Sequence, residues 1–168
     1  MISVATLIEL LDQVPPRYRA LLLLATFASL RFGELAGLRR GELDLDACSV
    51  RIAVSTAEID GKLIDHDPKS RAGRRAAAFP KEIVPELRWH LERFAQAQDD
   101  GFVFVGPKGG RLRRSNFHPI WVKARTAINV PVLHFRDLRP TRKHNGGRTG
   151  ASLRELVERI GHSSTRAG

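Results

Sequence analysis

Residues 15–30, PPRYRALLLLATFASL, constrain the fold of this chain more than any other stretch. The proline pair stops whatever precedes it and opens a helix, since proline is tolerated in a first helical turn. Tyr18, Leu21, Leu22, Leu24, Ala25 and Ala28 then make that helix apolar nearly all round. A surface helix shows one apolar stripe, whereas a helix apolar on every side has to be enclosed by other elements. The rest of the chain is therefore expected to wrap around it. With 168 residues, 42% of them hydrophobic, there is enough chain for one domain with a real core. The longest aliphatic run, Leu21 to Leu24, falls far short of the roughly 20 apolar residues of a membrane span. Glu9 and Asp12 interrupt the N-terminal apolar positions, which breaks any signal-peptide layout. A cytoplasmic protein without a membrane partner is the expectation.

Ahead of the prolines, Ser3 is placed to cap a helix carrying Leu7, Leu10 and Leu11 on one face. Behind the central helix, Leu30, Leu35 and Leu38 keep helical spacing around Arg31 and Glu34. Those two read either as an exposed ion pair worth ~0.2–0.5 kcal/mol, or as a guanidinium held near the core and oriented by a carboxylate. Residues 49–55, SVRIAVS, alternate as a half-buried strand. KLIDHD and RRAAAF read as two further strands around the loop at 68–73, giving a small antiparallel three-stranded sheet with Lys69 near a hairpin tip; Gly61 marks a turn. Pro80 ends the sheet, and Ile83, Leu87, Leu91 and Phe94 return to helical spacing, with Pro85 in the first turn. His90 there reads as a packing histidine rather than a ligand. FVFV at 102–105 is a short buried strand or extended segment, and Ser115 is a candidate cap for a helix around Trp121. The fold class is α+β, mainly helical, without internal repeats or a second domain.

Charge narrows the partner. Lys and Arg total 28 against 18 Asp and Glu, a formal net charge of +10. Such a balance suits a polyanion, although a basic solvated surface would carry the same charge. The single cysteine, Cys48, excludes a disulfide framework and a cysteine zinc cluster. The loop PKGGRLRR lacks the spacing of a nucleotide-binding P-loop. Its Lys108, Arg111, Arg113 and Arg114 feed a helix start and are candidate contacts to a nucleic-acid backbone. Residues 133–168 add Arg136, Arg139, Arg142, Lys143 and Arg148, then an amphipathic segment ending at Gly161 and His162.

Three separated pieces together resemble one pattern. LRFGELAGLRRGELDLD resembles the first arginine box of the tyrosine recombinases, the phage-integrase family. DPKSRAGRR resembles the family's sheet-lysine segment, and FRDLRPT with GHSSTRA its second arginine box and following histidine box. Order and spacing agree over nearly the whole chain, as a catalytic domain only. The resemblance implies metal-free and cofactor-free exchange of strands in double-stranded DNA, with other integrase protomers as further partners and no small-molecule substrate. A tyrosine attacks a phosphodiester, two arginines hold the phosphorane oxygens, a lysine protonates the leaving 5′-oxygen, and histidines assist. Carried over by position, the arginines are Arg31 and Arg139, the lysine is Lys69, and the last-box histidine is His162. Glu34 takes the place of the acidic residue that orients Arg31.

The departures are specific. Arg136 stands where the family has a histidine, and an arginine neither gives nor takes a proton near neutral pH. Pro140 replaces another histidine. The next segment is normally a small-apolar helix; here it reads PTRKHNGGR, and Gly146-Gly147 alone would cost a helix about 2 kcal/mol relative to alanines. Paired one-base shifts in the gene, after the codon for Arg139 and before that for Thr149, would produce such a stretch. The family's nucleophile follows the last histidine on a helix, whereas the sequence stops six residues after His162 and its one tyrosine, Tyr18, matches no nucleophile box. The family's N-terminal DNA-clamping domain has no counterpart either. The sequence therefore reads as a truncated integrase-like chain that binds DNA without cutting it. The alternatives are a subunit completed by a tyrosine from a neighbouring protomer or from further sequence, a regulator of a full-length integrase, and an unrelated basic domain.

Overall fold

A computed structural model describes residues 2–67, 74–140 and 150–165, with the side chains at 150–152 and 161–165 excepted. The irregular stretch at 141–149, and the loop with Lys69, lie outside these residues. The helices are α1 (Val4–Gln13), α2 (Arg19–Phe27), α3 (Phe32–Ala36), α4 (Val84–Arg93), α5 (Arg114–Ala127) and α6 (Gly150–Thr165). The strands are β1 (Leu43–Asp44), β2 (Ser49–Ile52), β3 (Ser55–Ile59), β4 (Lys62–His66) and β5 (Arg75–Ala78).

α2 is the enclosed helix that its composition requires. Leu21, Leu22, Leu23 and Leu24 are all at 0% exposure, each side chain contributing roughly 1.5–3 kcal/mol by leaving water. Around it pack α1 through Leu7, Leu10 and Leu11, α4 through Leu87, the extended segment Val103–Phe104, and α5 through Phe117 and Trp121. α1 starts where Ser3 Oγ accepts the Thr6 N–H at 3.1 Å, as its cap position implies. Leu156 and Ile160 of α6 join the same core, so the C-terminal helix closes over α1. α6 runs on through Gly161 to Thr165 rather than ending at that glycine.

The strands form the small antiparallel element the sequence implies, but they are partitioned differently. The SVRIAVS stretch breaks at Ala53 and Val54 into β2 and β3, which belong to separate sheets. The three-stranded sheet has the order β1-β2-β5, and among the described residues β3 pairs only with β4. β4 and β5, which flank the loop at 68–73, are therefore not partners of each other; β5 pairs with β2 from Ser49↔Ala78 to Ile52↔Arg75. β3 and β4 turn through Asp60 and Gly61, whose φ values of 51° and 77° suit a two-residue hairpin turn. Helix α5 is capped at Arg113; Ser115 lies inside its first turn and donates its hydroxyl to Glu58 Oε2 at 3.1 Å.

Candidate nucleic-acid interface

A break after α2 brings the first arginine to the surface. Ser29 takes left-handed backbone at φ 57°, Leu30 turns into the core at 0% exposure, and Arg31 emerges as the N-cap of α3 with an exposed side chain. α3 is held hard against β3. A Cβ added at Gly33 would stand 2.6 Å from Ser55 Oγ and 2.8 Å from the Thr56 carbonyl, so only glycine permits this approach. One turn on, Glu34 is buried at 7% exposure. Its Oε1 accepts the backbone N–H of Arg31 at 2.9 Å. Its carboxylate also receives two bonds from Arg75, at 2.6 Å and 3.1 Å. Glu34 thus fixes Arg31 through the main chain and leaves the Arg31 guanidinium to face outward.

Arg139 arrives from the other end of the chain. A 3-10 turn, Phe135–Leu138, is closed where Asp137 Oδ2 accepts the His134 N–H at 2.8 Å. Leu138, at 0% exposure, pins that turn in the core, and Arg139 follows in extended backbone. Arg139 Nε donates to the Ser29 carbonyl at 3.0 Å, and Arg75 Nη2 donates to the same oxygen at 3.3 Å. The kink at residue 29 therefore offers one carbonyl to two arginines. Burial, and then the Arg31 guanidinium, hold Arg139 below the usual arginine value; Glu34 pulls it back and Arg75 lowers it further. Arg139 remains a cation at neutral pH, but one crowded by like charge and so ready for an anion.

Between α3, α5 and residues 134–139 lies a cleft of about 560 Å³. Arg31, Arg114, Arg125, Arg136 and Arg139 line it, together with His118 and His134. Its floor is aromatic. Phe32 and Phe135 meet edge to face at 5.6 Å, Trp121 and Phe135 at 5.5 Å, and the Arg114 guanidinium lies 4.9 Å over Phe32. Among the described residues, no acidic side chain lines it. Guanidinium forks facing an acid-free cleft can hold the non-bridging oxygens of a phosphodiester.

The fold thus brings Arg31, Arg136, Arg139 and Arg114 together. Arg111 and Arg113, from the same loop as Arg114, are engaged elsewhere. Arg111 donates to Asp65 Oδ1 at 2.8 Å and to Thr56 Oγ1 at 3.0 Å, and Arg113 donates to the Gly61 carbonyl at 2.7 Å. Lys108 is exposed in the turn before them. His162 lies on α6, with its side chain outside the described residues. Nothing in the local sequence marks Arg75, whose partner Glu34 is 41 residues away. Arg114, His118, Trp121 and Arg125, by contrast, recur at spacings of four, three and four along α5, the signature of one helix face. Among the described residues, no group of three or more His, Cys, Asp or Glu could hold a metal ion.

A profile of the phage integrase family matches residues 3–167. The chain belongs to the phage integrase family. This integrase-family chain is 32% identical over 156 residues to a putative prophage phiRv2 integrase of Mycobacterium tuberculosis, covering 92% of this chain and 42% of that protein. It is 26% identical over 153 residues to the integrase of Mycobacterium phage L5, covering 89% and 41%. The chain therefore spans less than half the length of these relatives. Its fold matches that of the Tn1549 transposon integrase, solved in complex with circular intermediate DNA, at a TM-score of 0.65 and 14% identity, over 93% of this chain and 52% of that one. XerA recombinase matches at 0.63 and 15%, over 99% and 62%. At such identities the likeness is one of fold, that of a tyrosine recombinase catalytic domain.

Proposed function

We propose that this chain grips the backbone of double-stranded DNA as the catalytic-domain portion of a site-specific recombinase, and that the 168-residue polypeptide alone does not cut it. One observation carries the reading: Arg31 and Arg139, far apart in sequence, converge in a cleft with Arg114 and Arg136 and, among the described residues, without an opposing acid. In this reading Arg31 and Arg139 hold the two non-bridging oxygens of the bound phosphate, and Arg114 and Arg136 hold its neighbours. Lys69 and His162 are proposed to complete the site in the family manner, with Lys108 and Arg113 at its rim. Arg111 serves chiefly to bracket the β3–β4 hairpin.

Cleavage needs a hydroxyl with access to phosphorus. The one tyrosine of these residues, Tyr18, is 3% exposed, with its ring centroid 5.4 Å from that of Phe117. Burial raises its phenol above the usual value, outweighing the lowering by Arg17, so it stays protonated and enclosed. Arg136, where the family has a histidine, holds phosphate but moves no proton. No helix among the described residues is long and apolar enough to cross a membrane. A second reading, a subunit completed by a tyrosine supplied from elsewhere, draws on the same convergence of Arg31 and Arg139, which a working assembly would also need.

Three gripped phosphates imply a slope of about −2.7 in log K against log salt, so duplex affinity should fall roughly fortyfold between 50 and 200 mM salt. A titration at both salts, run beside a nicked trapping substrate, tests the proposal. Salt-independent binding would overturn the grip. A covalent protein–DNA adduct formed by the chain alone would overturn the inactivity. An adduct formed only with a full-length integrase present would establish the second reading.

A further inference from the structure

We infer that Arg75 is a positioning residue for Arg31 and Arg139 of the cleft, acting through Glu34 and the Ser29 carbonyl. The inference rests on the phosphate-grip reading. Arg75 opens strand β5, immediately after the segment that carries Lys69, and does not line the cleft. Its Nη1 reaches Glu34 Oε2 at 2.6 Å and its Nη2 reaches Glu34 Oε1 at 3.1 Å. This is a two-pronged pair in which the carboxylate is nearly sealed from water, at 8% side-chain exposure, while Arg75 is 38% exposed. The same Nη2 also donates to the Ser29 carbonyl at 3.3 Å.

Each acceptor holds one of the cleft arginines. Glu34 Oε1 accepts the Arg31 N–H at 2.9 Å, and the Ser29 carbonyl accepts Arg139 Nε at 3.0 Å. Arg75 is thus the one side chain among the described residues seen to bond both anchors. It ties the strand beside the lysine loop to the separation and tilt of the two guanidiniums. It also balances the buried Glu34 carboxylate. Without that partner, Glu34 would turn toward the nearest free cation, and Arg31 or Arg139 would be drawn out of the phosphate-facing arrangement.

A planar fork makes this possible, because three bonds to two acceptors need the fixed spread of a guanidinium. A lysine ammonium keeps the charge and loses the geometry. This separates positioning from two simpler roles, direct phosphate contact and bulk charge, both of which lysine preserves.

The experiment measures duplex-DNA affinity at 50 mM salt for the 168-residue chain and for Arg75→Lys, Arg75→Met, Glu34→Gln and Arg139→Gln. Thermal unfolding and the NMR signal of the Arg139 Nε–H are followed alongside. Arg75→Lys should weaken binding about tenfold, roughly the loss of one well-aligned charge-assisted contact, and should move the Arg139 Nε–H signal. Arg75→Met, which also leaves the buried Glu34 carboxylate unbalanced, should weaken binding at least as much as Arg75→Lys, and combining either with Arg139→Gln should add little. Wild-type affinity in Arg75→Lys with an unmoved Arg139 signal would overturn the inference. So would Arg75→Lys retaining affinity that Arg75→Met loses, and so would loss of the fold in all the Arg75 and Glu34 variants, which would place the cluster in folding alone. If Arg139→Gln itself leaves DNA affinity unchanged, it is the grip reading that fails.

Discussion

The arginines of this chain fall into two populations, and the contrast between them explains the molecule better than its net charge of +10. On the α4 side of the core, arginines serve the protein itself. Arg17 donates to the carbonyls of Val105 and Gly106 at 3.3 Å and 3.2 Å. Arg40 donates to Leu91 and Gln96 at 2.9 Å and 3.3 Å. Arg39 and Arg111 both lie over the Phe102 ring, at 4.0 Å and 4.2 Å. These side chains satisfy main-chain carbonyls in a loop-rich region and cover aromatic surface with their planar faces. In the cleft, Arg31, Arg114 and Arg136 face open space, and Arg139 is held from behind by the Ser29 carbonyl. One population stabilises the fold, and the other leaves its charge for a ligand. Substitutions in the two should therefore separate cleanly into losses of stability and losses of binding.

The largest effect expected belongs to the structural side and needs no mutation. His90, packed at 1% exposure between α4 and the extended segment, bonds the Val103 carbonyl through Nε2 at 2.7 Å, while its Nδ1 has no partner. Burial drives its pKa down to about 4; the Val103 bond opposes this and Arg17 adds to it. Because the folded value lies below the unfolded one, the unfolded chain binds more protons in this window. Stability should be full above about pH 6.5 and fall as pH drops toward 4, by up to about 3 kcal/mol. Urea unfolding at pH 7.5 and 4.5 checks this, and equal midpoints would contradict it. Below that range Asp65, whose carboxyl is lowered first by its hydrogen bond to Arg111, loses its own contribution as pH falls through its depressed value.

Next in size is Arg31→Gln, expected to weaken duplex binding about ten- to thirtyfold, as one charge-assisted phosphate contact would. Its thermal midpoint should stay within about 2 °C, because an exposed guanidinium adds little to stability. A large drop in that midpoint would place Arg31 with the structural population. The smallest effect is the mirror image. Arg111→Gln should cost about 1 kcal/mol of stability, discounted for partial exposure of its pair with Asp65. Its DNA affinity should stay within about threefold, the weak long-range effect of one rim charge. A loss as large as that of Arg31→Gln would move Arg111 into the cleft population.

Much of this was legible in the sequence. The enclosed helix α2 follows from apolarity on every side, the α1 cap from Ser3, and a turn, though not the hairpin it closes, from Gly61. The two cleft arginines and Glu34 could be placed because the boxes around them resemble a known family. What the sequence withholds is partnership at a distance. Alternation marks strands but not their neighbours, so β4 and β5 looked like two arms of one hairpin, when β4 pairs with β3 and β5 with β2. The two-residue β1 has too little pattern to be seen. The run Arg111, Arg113, Arg114 reads as one basic loop, yet a partner 46 residues away, Asp65, takes the first of them for the protein. Arg75 is the same case in reverse: an undistinguished strand residue that acquires its place from Glu34 and Ser29.

The claim that matters most is that the outward-facing arginines, rather than charge in general, hold the DNA. The slope of log affinity against log salt measures how many phosphates are neutralised. For the double variant Arg31→Gln with Arg139→Gln the magnitude of that slope should shrink by about 0.9, one phosphate's worth. The matched double variant Arg40→Gln with Arg111→Gln should leave it unchanged. Equal slopes in the two double variants would mean that the cleft is not where the phosphates sit.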